Sequence, residues 1–133
     1  MPAIELLQKK LPPAPPVDAK RLAQWILDLE SDDFAVRDAA KSNLEKHPDR
    51  VDAMLRDAWE RAGALETKRR LEALLTNVET VTPDRLRQMR ALEALEQIAT
   101  PEALRLLESL AVGDRTARLT REASETLARV RKR

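Results

Sequence analysis

Residues 36–47 read VRDAAKSNLEKH, and the same small pattern returns as TKRRLEALLTNV at 67–78, MRALEALEQIA at 89–99 and LTREASETLARV at 119–130. Aligned, the four stretches share an apolar residue at Ala40, Leu71, Ala91 and Ala123. A leucine follows four residues later, at Leu44, Leu75, Leu95 and Leu127. Three further on come His47, Val78, Ile98 and Val130. Steps of four and three keep such residues on one face of an α-helix. Leu44 and Leu75 are 31 residues apart, and Leu95 and Leu127 are 32 apart. A period of about thirty residues with two helices per unit is the pattern of an α-solenoid. The expected fold is all-α, a solenoid of about three helix pairs. It contains seven helices by the apolar stripes along the chain.

Composition agrees with that class. A chain of 133 residues is one domain by length. Hydrophobic residues at 43% with charged residues at 35% suit amphipathic helices rather than disorder. Two glycines, one Phe and no Tyr argue against a β-rich fold. The net charge of +1 exerts no overall pull towards nucleic acid or membrane. Without cysteine there is no disulfide, thiolate metal site or Cys nucleophile. The opening MPAIELLQKK lacks the apolar run of a signal peptide. No stretch reaches the ~20 apolar residues of a membrane span. The expectation is a soluble, cytoplasmic protein.

Residues 1–17 stand apart as a Pro-rich leader or linker, with the repeat domain expected over 18–133. Ile4, Leu7 and Leu11 suit a short amphipathic turn, and Pro12, Pro13, Pro15 and Pro16 then force an extended segment. The alternative is a strap packed on the first helix pair. Asp18 is a fair N-cap for a helix with Leu22, Trp25, Ile26 and Leu29 on one stripe. Ser31 is expected to cap the second helix, with Asp32 and Asp33 in its first turn. That helix runs to about His47, and Pro48 marks the break. Val51, Met54, Leu55, Ala58 and Ala62 define the third, which Gly63 ends as a C′ glycine. The fourth spans 65–79, with Leu71, Leu74, Leu75 and Val78 inside. Thr82-Pro83-Asp84 and Thr100-Pro101-Glu102 open the fifth and sixth, each with a Thr cap and Pro at the first helical position. Gly113 closes the sixth, and the seventh covers 116–131. With outer helices called A and inner helices B, the order is A-B, A-B, B, A-B. Leu75 to Leu95 is only 20 residues, so the fifth helix lacks its A partner.

Asp33-Phe34-Ala35-Val36-Arg37-Asp38-Ala39-Ala40 resembles the inner helix of a HEAT-like repeat. Thr100-Pro101-Glu102-Ala103 with Leu106-Leu107 resembles an outer one. The run from Pro12 to Arg129 resembles a region at the C-terminal end of large bacterial WD-repeat propeller proteins. The stretches LPPAPPVDAKRLAQWILDLESDDFAVRDAA, LETKRRLEALL, RLRQMRALEALEQIATPEALRLLESLA and ARLTREASETLARV carry that likeness. The resemblance implies a helical repeat region and no assignable activity. No propeller precedes the repeats in this sequence, so the expectation is either a fragment of a larger multidomain protein or a free-standing copy. His47-Pro48-Asp49 stands where the pattern leads one to expect a Gly-containing turn.

Catalytic equipment is sparse. His47 is the only histidine, and its acidic neighbours Glu45 and Asp49 do not make a triad. Asp28, Glu30, Asp32 and Asp33 form an acidic turn without calcium-loop spacing. Trp25 reads as core, and Trp59 as an edge residue. The serines have no base beside them. The reading therefore names no catalytic residue, no metal ligand and no cofactor. Basic residues gather at the end: Arg115, Arg118, Arg121, Arg129, Arg131, Lys132 and Arg133 against Glu122 and Glu125, a local +5. Such a run suits either phosphate contact or a solvated helix end.

If positions 40, 44 and 47 face the core, residues two before or after 44 face outwards. That places Asp38, Ser42 and Lys46 on the open face of the second helix. The matching sets are Arg69, Ala73 and Asn77; Met89, Glu93 and Gln97; and Arg121, Glu125 and Arg129. Shallow surfaces of this kind hold peptides or other domains. The functional expectation is a non-catalytic protein-interaction or scaffolding module with an unknown protein or peptide partner and no membrane. The alternative is nucleic-acid-backbone binding through the C-terminal arginines.

Overall fold

The start signals in the sequence open the helices much as capping chemistry requires. The computed structural model describes residues 2–133, with side chains from Ile4 onward. The helices are α1 (Pro2–Lys10), α2 (Ala19–Asp28), α3 (Phe34–Glu45), α4 (Pro48–Arg61), α5 (Leu65–Val78), α6 (Pro83–Ile98), α7 (Pro101–Ala111) and α8 (Arg118–Arg131). No strand occurs among the described residues. Asp18 Oδ1 accepts from the Lys20 N–H at 3.1 Å, satisfying one of the orphan donors of α2. Thr82 Oγ1 accepts from Arg85 N at 3.1 Å, and Thr100 Oγ1 from Ala103 N at 3.3 Å. Pro83 and Pro101 fill the first helical positions, where a missing N–H costs nothing.

Three expectations need correction. The cap of α3 is Asp33, whose Oδ1 accepts from Ala35 N at 2.9 Å. Ser31 instead accepts from Asp33 N at 3.2 Å, so it folds the turn that precedes the helix. Gly63 is not a left-handed stop: α4 leaves through Ala62 in extended backbone, and no glycine has positive φ. The left-handed residue is Ala99, at φ 49° and ψ 25°. Pro101 biases Thr100 to extended backbone. The reversal between α6 and α7 therefore falls on Ala99 alone, at a strain of about 1–2 kcal/mol. Finally, the described residues form eight helices where seven were expected, the additional one being α1. The prolines stop it at Lys10, but Pro2 at its start is compatible with a helix, and its apolar face is buried.

The described residues divide into two compact units. One is continuous, Val17–Thr80, and holds α2 to α5. The other is split: the residues up to Pro16 join Val81–Arg133, so α1 belongs with α6, α7 and α8. In the continuous unit α2 pairs with α3 and α4 with α5; α2 also lies beside α4, and α3 beside α5. Leu22, Leu44, Val51, Leu55, Leu71 and Leu74 form the heart of its core. Arg56 joins α4 to the end of α5, reaching Asp52 at 3.2 Å and Glu79 at 3.1 Å. In the split unit α7 pairs with α8, α6 packs on both, and α1 packs on α7. A strap on the first helix pair was the expected alternative; the observed partner is α7.

Of the four aligned leucines, three are buried and one is not. Leu44, Leu95 and Leu127 are buried. Leu75 is only half-buried, and Leu74, 1% exposed, takes the core position instead. Adjacent helical residues point about 100° apart. The main neighbour of α5 is α4, and this turns the stripe to Leu71, Leu74 and Val78.

Candidate interaction surface

Helices α3 and α5 lie side by side, and a cleft of about 340 Å³ opens between them. Leu29, Ala73 and Leu74 provide apolar wall, with Phe34 at the mouth and Arg37, Asp38, Lys41 and Arg70 around it. Phe34 is 70% exposed, an unusual position for the only Phe of the chain. It is the first residue of α3, held outwards by the Asp33 cap, and the Arg37 guanidinium lies 5.8 Å from its ring centroid. Arg37 Nη1 also donates to Ser31 O at 2.6 Å, which fixes that arm against the turn. Arg70 Nη2 donates to Glu66 Oε1 at 2.5 Å, and Nη1 donates to Leu29 O at 3.3 Å. Further along, Asn77 Nδ2 donates to Glu45 Oε1 at 3.3 Å, joining α5 to α3.

In the split unit α6 and α8 are likewise neighbours, with a cleft of about 280 Å³ between them. Met89 and Leu92 are its apolar part, and Glu93, Glu125 and Arg129 line it. Arg85 from α6 grips the Glu122 carboxylate of α8 with both Nη atoms, one at 3.0 Å. Both side chains are largely buried, so this pair is screened less than a surface one. Arg129 Nε donates to Glu96 Oε1 at 2.8 Å, and that bond lifts the guanidinium pKa further above its ordinary value.

The predicted surface positions distribute unevenly. Asp38 and Ala73 meet at the α3/α5 cleft. Met89, Glu93, Glu125 and Arg129 meet at the α6/α8 cleft. Ser42, Lys46, Arg69, Asn77 and Gln97 are exposed on the same helices, and Arg121 is half-buried. Sequence reasoning passed over Phe34, Arg37, Lys41 and Arg70 as cleft residues. A lone aromatic directly after the acidic turn was the available signal. It also passed over a third cleft, of about 380 Å³ between α2 and α4, where Ile26, Leu27, Met54 and Ala58 are exposed to different degrees.

The other candidates resolve into structural roles. Trp25 is half-buried and stacks on His47 with ring centroids 5.8 Å apart. Trp59 donates its Nε1–H to Glu72 at 3.1 Å, with Lys68 Nζ 4.5 Å from its ring centroid. In the acidic turn, Asp28 accepts from Gln24 at 2.9 Å and Asp33 caps α3. Among the described residues no three acidic or imidazole side chains converge as a metal site. Of the C-terminal arginines, Arg118 is buried, Arg131 pairs with Glu108 at 2.8 Å, and Arg133 donates to Glu96 O at 3.3 Å. No described helix is long and apolar enough to cross a membrane. Comparison with protein-family models, curated proteins and solved structures gives no match.

Proposed function

We propose that this protein is a non-catalytic protein-interaction module, a HEAT-like α-solenoid of about three helix pairs whose inner helices form the working surface. One observation carries the reading. In both units the inner helices are neighbours, and the clefts between them expose apolar groups among unlike charges. Phe34 and Met89 supply the apolar contacts, and Arg37, Lys41, Glu93 and Glu125 supply the polar surround. That mixture resembles the make-up of transient protein interfaces, in which a few large side chains supply most of the energy. The likeness to the C-terminal regions of propeller proteins fits a docking role of this type.

Site-specific photo-crosslinking tests it. Crosslinking amino acids at Asp38, Asn77 and Glu93 on the inner helices are compared with Glu60 and Arg105 on the outer ones. The expected result is a discrete adduct from the inner positions that is lost in Phe34→Ser or Met89→Ser. The purified adduct partner should then bind the unmodified chain in calorimetry. Equal adducts from the outer positions, or adducts indifferent to both substitutions, would defeat the proposal.

A further inference from the structure

The split unit takes part of its outer layer from a distant stretch of chain. The residues up to Pro16 pack with Val81–Arg133, although the whole continuous unit lies between them in sequence. α1 spans nine residues, too few to persist as a helix in water on its own. It exists because it is docked. Its anchors Ile4, Leu7 and Leu11 fall at i, i+3 and i+7, the spacing of an amphipathic helix laid in a groove. Ile4 is 2% and Leu11 8% exposed, while Glu5, Gln8, Lys9 and Lys10 face solvent. The anchors join a core that contains Ala103, Leu106, Leu107 and Leu110 of α7.

The proline strap that follows is also received specifically. Ala14 O accepts from the Asp114 N–H at 3.1 Å in the turn between α7 and α8. Gly113 sits at that crossing. A Cβ there would lie 2.9 Å from Ala14 N and 2.9 Å from Thr120 Oγ1. The φ of Gly113 is not positive, so the need for glycine is steric and comes from the strap itself. Thr120 Oγ1 is itself buried at this crossing.

We propose that the outer side of α7, with the Gly113 turn, is a helix-docking groove, and that residues 2–16 are its tethered ligand. The groove takes a short amphipathic helix with apolar residues at this spacing, followed by a proline-rich extended tail. The same segment supplied in trans binds it. This lies on the outer layer, apart from the inner clefts, and stands whether or not those bind a partner.

The test uses the full chain with a protease site inserted between Pro16 and Val17, cut after folding. A fluorescent synthetic peptide of residues 2–16 is then added and followed by anisotropy. The cut protein should keep its helical circular dichroism and exchange its own segment for the peptide. The uncut chain should resist, because a short tether holds the resident at an effective concentration of about millimolar. A peptide carrying Ile4→Asp and Leu11→Asp should not bind. In a cut Gly113→Ala chain the 2–16 peptide should bind at least about tenfold more weakly, and a 2–11 peptide that lacks the strap should be unaffected. Loss of helical signal on cutting, failure to exchange, or equal binding of the doubly substituted peptide would each overturn the proposal.

Discussion

Replacing Leu74 or Leu75 of α5 by Ala separates two readings of one helix. The repeat pattern puts Leu75 in the core, whereas the structure puts Leu74 there at 1% exposure and leaves Leu75 half-buried. Leu74→Ala strips buried carbons at about 0.8 kcal/mol each, a transfer loss of about 2–2.5 kcal/mol. The cavity left under Leu71, Leu55 and Val78 raises the cost to about 2–5 kcal/mol. Leu75→Ala removes atoms that already meet water and leaves no closed cavity, so about 1 kcal/mol is expected. At 0.05–0.15 kcal/mol per residue, a unit of this size holds only about 3–10 kcal/mol, so the first change consumes much of it. Both tryptophans, Trp25 and Trp59, lie in the continuous unit. Urea unfolding followed by Trp fluorescence therefore reads that unit specifically. Leu107→Ala, at 0% exposure in the split unit, should move the fluorescence midpoint less than Leu74→Ala does. Equal costs at 74 and 75, or a larger one at 75, would refute the observed register.

The Arg85–Glu122 pair joins α6 to α8, and Glu122→Gln should destabilise the split unit by about 1.5–3 kcal/mol, read by circular dichroism in urea. The Glu102 carboxyl is held below its ordinary pKa, first by the N–H of its own backbone at the start of α7. A depressed carboxyl stabilises the fold above its unfolded pKa and loses that contribution as pH falls through the folded value. Glu102→Gln should therefore flatten the acid limb of a stability–pH curve. Titration with duplex DNA should show only non-specific affinity, roughly 10⁻⁴ to 10⁻⁶ M at physiological salt, since Arg118 is buried and Arg129 and Arg131 are paired. Sub-micromolar binding that is lost on Arg115→Ala with Lys132→Ala would show that the remaining exposed cations act as a phosphate site.

The local elements were legible because local chemistry decides them. Asp18, Thr82 and Thr100 cap helices where polar side chains followed by apolar stripes said they would. What escaped depends on partners distant in sequence. Leu74 and Leu75 are equivalent to any periodicity count until α4 is in place. The Gly63 stop was a sound local inference that the extended exit at Ala62 made unnecessary. The gap beside α6 was visible as a short spacing, but nothing in residues 2–11 says that they pack with α6 to α8. For the surface, the register picks out Ser42, Lys46, Arg69, Asn77 and Gln97, which are exposed, but also Arg121, which is half-buried. It misses Phe34, because a helix's first residue lies outside the stripe that the register describes.

The split unit also carries a consequence for the order of events at the ribosome. Residues 2–11 are made before the continuous unit, yet their partner α7 begins only at Pro101. At about 5–20 residues per second, the segment waits some 5–20 s for the surface that makes it a helix. During that interval residues 17–80 are all made and can assemble their own compact unit. Ile4, Leu7 and Leu11 stay uncovered until α7 emerges, so chaperones that recognise short apolar segments meet this stretch well before its partner helix exists.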